Sequence, residues 1–558
     1  MNAGTLRGLC TSIGGWFLGS SLIGLLVWVR ISYAGHLLSG GGVLFDAEGF
    51  ARMCRVSRLF GTDVWVLGGN GYEGWPAGTG TGYSTLADYL LLWAGALVRW
   101  VGIWVEWLDE RVGVILRTGA MDYGGGVFGV VVGGLVAGAL WWWVRRQGWG
   151  RVRLGVWSAL LATPPLVFST RFGALDESVF AIAFLGWVLV LEDAGVYRVR
   201  AVGIITGILA GAATWVAPRV SVPFVLMVLI GRVIGGSSLR GALQAAVGLL
   251  VPFLGVMVVA CLLDGDAWLG SLLGSRGQFS HHLWLPVEDL GAPLLWFGGL
   301  MLVPLLAFFG RVEDAGRSRW QRLVALSALL AMGASWLMPV WAPIAVLLTV
   351  VCGESARVGA TRISQRLPGN MAVQGWLRRA VLAVVLIGGF WPMARWWEGW
   401  IFPTESRVAE AMEYREEMGQ LRRIAHGIRG NEVQPFLAPW YLSPAISYWS
   451  MQPSVSRFTP FERGERDFAT TFFAAEDVSI HRATVTSLGV RWVICDAPDR
   501  FERNVNRGGF GKDSSAEPAI RTLRRGRQVT EPLGYARVFT TGTFVVLEPL
   551  PAAAQRIP

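Results

Sequence analysis

The sequence predicts a polytopic α-helical membrane domain followed by an extracytoplasmic soluble α/β domain. Three observations predict it. Of the 558 residues 53% are hydrophobic and 16% charged, and several apolar runs are long enough to cross a hydrocarbon core of roughly 30 Å. Arginines cluster in three connections that fall on one side when the runs are threaded alternately. Towards the C-terminus the runs stop, charge rises and short strand-like stretches appear.

Taken in order, Ile13 to Val29 is the first span, and because no small-residue cleavage site follows it, it reads as a retained helix. A long first external loop, 30–123, comes next. It contains Phe45-Asp46-Ala47-Glu48-Gly49-Phe50, the turn-rich Gly68 to Pro76, and the more apolar Leu86 to Trp107. Arg99 and Glu106 interrupt that last stretch, and Trp93, Trp100, Trp104 and Trp107 stud it. Such aromatic enrichment suits a helix at the membrane interface, with a further span as the alternative. Apolar runs then follow at Gly124–Val144, Leu154–Thr170, Ser178–Leu191, Ala201–Ala217, Val222–Ile234, Ala242–Leu263, Leu290–Phe309, Leu323–Met338, Val340–Cys352 and Ala380–Met393. Together these predict about 11 to 13 spans.

Orientation follows from arginine. Arg145, Arg146, Arg151 and Arg153 form one cluster, Arg311, Arg317, Arg319 and Arg322 a second, and Arg357, Arg362, Arg366, Arg378 and Arg379 a third. The positive-inside rule makes their common side cytoplasmic. The loop 30–123, the turn Arg171 to Glu177, the loop Asp264 to Asp289 and everything after Arg395 then lie outside. The predicted division is a transmembrane domain over 1–394 and an extracytoplasmic domain over 395–558. In the latter, Glu405 to Ile428 mixes charge signs along a solvated helix, Val490 to Cys495 and Ala536 to Thr540 read as strands, and Arg503 to Pro518 reads as a loop.

The net charge of +10 is almost wholly arginine, since Lys512 is the only lysine. No nucleic-acid motif accompanies it, so the expected partners are membrane lipids and external substrates. Five scattered cysteines make neither a CxxC pair nor a metal-ligand spacing.

Three acidic pairs fall near span mouths on the external side: Asp46 with Glu48, Asp176 with Glu177, and Glu288 with Asp289. Hard oxygen ligands from separate elements suit Mg²⁺ or Mn²⁺, and a cation so held polarises a leaving phosphate. The alternatives are solvated loop acids at the first pair and acids favoured by helix N-terminal dipoles at the other two. The neighbouring His281-His282 reads as exposed loop rather than as a ligand pair.

The arrangement resembles the catalytic subunit of oligosaccharyltransferases, within the GT-C glycosyltransferases. Phe45 to Phe50, followed by Tyr72-Glu73-Gly74-Trp75-Pro76-Ala77-Gly78 and Tyr83 to Leu86, looks like that family's first external loop. Phe172-Gly173-Ala174-Leu175-Asp176-Glu177 is similar to its second acidic motif, and Pro286-Val287-Glu288-Asp289 sits where the family carries a glutamate in a large external loop. The resemblance implies a GT-C-like membrane domain, with Asp46, Asp176 and Glu288 holding the metal, Glu48 and Glu177 as flanking or alternative ligands, and Asp46 and Glu288 also engaging the acceptor nucleophile. The family's Trp-Trp-Asp-Tyr-Gly acceptor motif has its nearest counterpart in Pro439-Trp440-Tyr441-Leu442-Ser443, which places Trp440 and Tyr441 at the acceptor but carries no Asp. Ala334 to Pro339 lacks the family's donor-phosphate arginine. Arg171, Arg219 and Arg276 are the cations left to meet a donor phosphate, with interfacial snorkelling as their alternative.

Two functions are therefore expected. The first is a metal-dependent glycosyltransferase of the bacterial-type inner membrane, moving sugar from a polyprenyl-linked donor to a protein or other extracytoplasmic acceptor. The second is a GT-C-like scaffold or lipid-binding protein without catalysis.

Overall fold

The computed structural model describes residues 47–61, 84–146, 163–175, 177–194, 200–235, 239–273, 297–310, 315–335, 341–366, 405–456, 468–475, 481–507, 519–525 and 530–550, with a few isolated positions besides. The chain forms two compact units. One comprises Met1–Gly35, Val127–Val259 and Pro286–Arg407; the other comprises His36–Gly126, Ala260–Leu285 and Val408–Pro558.

The first unit is helical. Its main elements are the greater part of α4 (Ala120–Arg146), α5 (Pro164–Ser169), α6 (Glu177–Asp193), α7 (Arg200–Val216), α8 (Pro218–Gly235), the start of α9 (Leu239–Leu273), α10 (Leu302–Phe309), α11 (Ala315–Ala334), α12 (Trp341–Val351) and α13 (Gly353–Arg366). Ala342 through Val351 of α12 are all buried, as befits a helix apolar on every side. Where the sequence turns from apolar to charged, at Cys352, the chain bends by 59° into α13.

The last two residues of α6 lock several helices together. Glu192 receives Arg232 from α8, whose guanidinium also donates to Thr206 Oγ1 of α7 at 2.9 Å. Asp193 accepts from Trp143 Nε1 of α4 at 3.0 Å and Gln321 Nε2 of α11 at 3.4 Å. Arg317 lies 3.8 Å from Asp193 and 2.7 Å from Glu354. Buried charge in a bundle interior persists only when paired in this way.

The second unit combines α1 (Ala47–Gly61), α2 (Thr85–Glu106), α3 (Glu110–Thr118) and the start of α4 with the C-terminal elements. The latter begin with α14 (Glu405–Ile428), the mixed-charge helix expected there, and include α15 (Ser443–Ser450), α16 (Phe468–Ala474), α17 (Arg482–Ser487), α18 (Pro498–Arg507) and α19 (Ala519–Arg524). Strands β1 (Phe436–Leu437), β2 (Trp492–Cys495), β3 (Tyr535–Thr541) and β4 (Phe544–Pro549) form one sheet in the order β1-β2-β4-β3. β1 runs parallel to β2, with Leu437 opposite Val493; β4 is antiparallel to both β2 and β3. Arg503 to Arg507, expected as part of a loop, continue α18.

Among the described residues three helices are long and apolar enough to cross a membrane: Thr85–Glu106, Ala120–Arg146 and Arg240–Asp264. The bent pair Trp341–Val351 and Gly353–Ile363 makes a fourth if it counts as one span. The runs Ile13–Val29 and Ala380–Met393 lie outside the described residues, apart from Ala380.

Candidate active site

In the second unit, α1 begins at the residue after Asp46, so the first acidic motif runs directly into a helix N-terminus, where the backbone dipole favours anions. Glu48 lies in its first turn. The helix packs against α15: the Phe50 ring meets Trp449 edge-on at 5.0 Å and Tyr448 at 6.1 Å. The Tyr448 hydroxyl donates to Asp122 Oδ1, in the first turn of α4. Burial and the adjoining Asp122 carboxylate push that hydroxyl well above its usual range, so it remains a donor.

The Tyr72–Pro76 stretch is tied to the same region. Ser454 N donates to Tyr72 O at 2.8 Å, Trp75 N to Ser454 O at 3.0 Å, and Trp75 Nε1 to Leu488 O at 3.1 Å. Two pieces of the first loop thus meet the segment that follows Trp440 and Tyr441.

Trp440 and Tyr441 themselves face inward, at 5% and 1% exposure, with their rings edge-on at 5.6 Å. Tyr441 Oη donates to Asp496 Oδ2 at 2.7 Å, just past the end of β2. Asp496 Oδ1 accepts from Ala497 N at 2.7 Å and Arg500 Nη2 at 2.9 Å, and Arg500 also pairs with Glu417 of α14. Burial raises the Asp496 carboxyl against the pull of Arg500, and pushes Glu417 up to about 7. A carboxylate does stand beside this aromatic pair, contributed from 55 residues along the chain.

Sequence reasoning also missed a buried ionic group next to the first acidic motif. Arg52 and Arg55 of α1 are both buried, and Arg55 Nε pairs with Asp88 Oδ2 of α2. Asp264 in turn accepts from Thr85 N at 3.2 Å and from the Thr85 hydroxyl, capping the start of α2. The signal was present as two arginines three residues apart, but it becomes readable only once α1 is known to be helical.

In the first unit, the second acidic motif is carried by a buried turn between α5 and α6. Arg171, Phe172, Ala174 and Leu175 are all buried. Gly129 of α4 crosses this turn so closely that a Cβ there would lie 2.4 Å from Arg171 O. Glu177 is the first residue of α6, immediately after Asp176. Arg219 is half-buried in the first turn of α8. Asp46, Asp176, Arg276 and Glu288 lie outside the described residues, and of Glu48 and Glu177 the backbone alone is described. Among the described residues no group of three or more His, Cys, Asp or Glu side chains converges as a metal site.

The fold of the chain is shared with solved oligosaccharyltransferase and ArnT structures. The apo oligosaccharyltransferase of Archaeoglobus fulgidus matches at a TM-score of 0.55 and 12% identity, covering 86% of this chain and 69% of that one. The apo form of ArnT from Cupriavidus metallidurans matches at 0.52 and 14% identity, covering 98% of this chain and 100% of that one. Its form bound to undecaprenyl phosphate matches at 0.51 and 12%. Neither a protein-family model nor a curated protein sequence matches the chain.

Proposed function

We propose that this chain is a membrane glycosyltransferase that moves a sugar or oligosaccharide from a polyprenyl-phosphate-type lipid donor to an extracytoplasmic acceptor, with a divalent metal at its centre. The observation that carries the reading is the packing of α1, which follows Asp46 directly in the chain, against α15, together with the hydrogen bonds of Tyr72 and Trp75 to Ser454 just beyond α15. It joins the acidic first loop to the C-terminal segment that the resemblance puts at the acceptor. Fold alone does not assign chemistry, but the solved neighbours point the same way: one ArnT structure holds undecaprenyl phosphate, and AglB of A. fulgidus was solved with an inhibitory peptide and a dolichol-phosphate.

In this reading Asp46, Asp176 and Glu288 hold Mg²⁺ or Mn²⁺, flanked by Glu48 and Glu177. All five offer hard carboxylate oxygens, the donor chemistry those ions require. The A. fulgidus enzyme was also solved with Zn and sulfate, which favours a divalent cation in such sites. The cation, when bound, offsets charge on the leaving phosphate. Asp46 and Glu288 accept hydrogen bonds from the acceptor nucleophile and orient it. Arg171, Arg219 and Arg276 meet the donor phosphate, to which a guanidinium donates two parallel hydrogen bonds. Trp440 and Tyr441, the latter held by Asp496, back the surface that the acceptor approaches. The membrane portion spans 1–394 in a bacterial-type inner membrane, and 395–558 stands outside it.

The test is transfer of label from polyprenyl-linked sugars by purified protein in lipid. Asp46→Ala and Glu288→Ala should each abolish transfer while the protein still folds, and Mn²⁺ titration should show a site lost in Asp176→Ala. Metal binding with no transfer to any acceptor, by the wild type as by the variants, would favour a scaffold or lipid-binding protein.

A further inference from the structure

α2 begins on a carboxylate that its own segment does not supply. Ser84 stands at the N-cap with extended backbone, yet its side chain makes no cap hydrogen bond, and its buried Oγ has no partner among the described residues. Asp264 of α9 caps the helix instead. Its two carboxylate oxygens each lie 3.2 Å from Thr85 N, and Oδ1 also accepts from the Thr85 hydroxyl. One turn on, the buried Asp88 Oδ2 takes Arg55 of α1, while Asp88 Oδ1 finds no donor among the described residues. Thr85 and Asp88 thus give the first turn of α2 two polar handles, one on each neighbouring helix.

The two handles are linked by charge. Asp264 repels the Asp88 carboxylate, and Arg55, with Arg52 one turn before it, attracts it. Two guanidiniums and two carboxylates therefore face one another within the second unit.

Stability alone does not call for this construction. A Ser at the N-cap serves a helix start about as well as a carboxylate does, and well-packed apolar residues hold two buried helices at least as well as an ion pair. Directional polar contacts add register: a hydrogen-bonded pair fixes how one helix is turned and how far it slides along another, whereas apolar side chains can repack.

Register matters at the outer partners. α1 starts at the residue after Asp46. On the other side, the apolar stretch of α9 ends at Asp264, and the chain leads from there to Arg276 and Glu288. In the reaction proposed above, these are residues that hold the metal, the donor phosphate and the acceptor.

From this we infer that Thr85, Asp88 and Asp264 are positioning residues for that transfer: joined through the first turn of α2, they set the helix that follows Asp46 against the helix end that leads to Arg276 and Glu288. Their effect on rate rests on the proposed reaction; their effect on the start of α1 does not.

Three variants of the full-length protein in nanodiscs test it. Thr85→Val loses the hydroxyl and keeps the shape, Thr85→Ser keeps the hydroxyl, and Arg55→Met combined with Asp88→Leu replaces the buried pair by apolar groups. Each is followed by kcat and KM for a polyprenyl-linked sugar, by amide hydrogen exchange at Ala47 to Phe50, and by melting midpoint. Thr85→Val and the Arg55→Met, Asp88→Leu double variant are expected to lower kcat several-fold more than they alter KM. Both should quicken exchange at Ala47 to Phe50 several-fold with little change in midpoint, since replacing both partners of a buried pair is close to neutral for stability. Thr85→Ser should match the wild type in all three measurements. A lowered midpoint with kcat and exchange unaltered would overturn the inference, because the contacts would then be structural only. Equal loss of kcat in Thr85→Ser and Thr85→Val would also overturn it, since the hydroxyl would not be the acting group. If the wild type transfers no sugar, the proposed reaction falls and exchange decides alone: faster exchange in Thr85→Val but not in Thr85→Ser upholds the coupling, and no difference between them overturns it.

Discussion

The buried charge cluster at Glu192 and Asp193 in the helical unit and the one at Asp496 in the sheet-bearing unit are built differently. In the helical unit, Glu192 and Asp193 leave a single helix end in two directions, and partners from α4, α7, α8, α11 and α13 surround them. In the sheet-bearing unit, Asp496, Arg500 and Glu417 form one line, with Arg500 shared between two carboxylates and Tyr441 at the end. In the first cluster each acid has several donors of its own, so the charge is fixed in place. In the second, two acids compete for one guanidinium, and burial leaves one of them near neutral pH. The contrast is between a rigid inter-helix lock and a titratable brace behind the Trp440–Tyr441 turn.

The strongest way to break the comparison is Arg232→Met. Removing one member of a buried pair strands the other, which costs about 3–5 kcal/mol, while replacing both partners by apolar groups is close to neutral. Arg232→Met should therefore lower the heat-inactivation midpoint sharply in detergent, and adding Glu192→Leu should recover most of the loss. If the double variant is no better than the single one, the lock depends on packing rather than on charge.

Arg500→Met should cost less, about 2 kcal/mol, because Arg500 is partly exposed and both stranded acids can take up protons. The sign of the pH effect follows from the direction of the shifts. Glu417 in the folded protein titrates at about 7, above its ordinary 4.5, and Asp496 is raised as well. The folded state therefore binds more protons than the unfolded chain between pH 4.5 and 7, and stability declines as pH rises through that window. The groups facing Glu417 are Arg500, Asp496 and Glu413, and of these only Arg500 opposes the shift. Melting followed from pH 4.5 to 7.5 should show the decline, and Glu417→Gln should flatten it. A slope that is the same in Glu417→Gln would assign the titration to another group.

How far the sequence could be read follows the range of the interactions. α14 is legible over its full length because its mixed charges repeat on a solvated face. β2 and β3 are legible as β-rich runs, and α12 as an apolar run closed by charge at Cys352. Pairings between distant segments were not legible. Asp122 and Tyr448 are 326 residues apart, Thr85 and Asp264 are 179 apart, and Arg55 and Asp88 are 33 apart. No local period links such residues. The Trp440 segment has no Asp adjacent in sequence, whereas the fold delivers Asp496 from the end of a neighbouring strand. Charge alone marks Arg171 in the sequence, whereas the turn that carries it, crossed by Gly129, depends on tertiary contacts.

The smallest expected effect refines the brace reading. Tyr441→Phe removes one hydroxyl from Asp496 and keeps the ring, so it should cost about 1–2 kcal/mol, the range for a buried hydrogen bond to a charged acceptor. Asp496 retains Ala497 N and Arg500, so its charge is not stranded. If the brace reading is right, the loss should grow with pH, because the hydroxyl helps the carboxylate form and not the protonated one. Tyr441→Phe measured at pH 5 and pH 8 distinguishes the cases: a larger loss at pH 8 supports a hydroxyl that stabilises ionised Asp496, an equal loss at both would mean that Asp496 does not titrate between them, and no loss at either would mean that ring packing, not the hydrogen bond, holds the Trp440–Tyr441 turn.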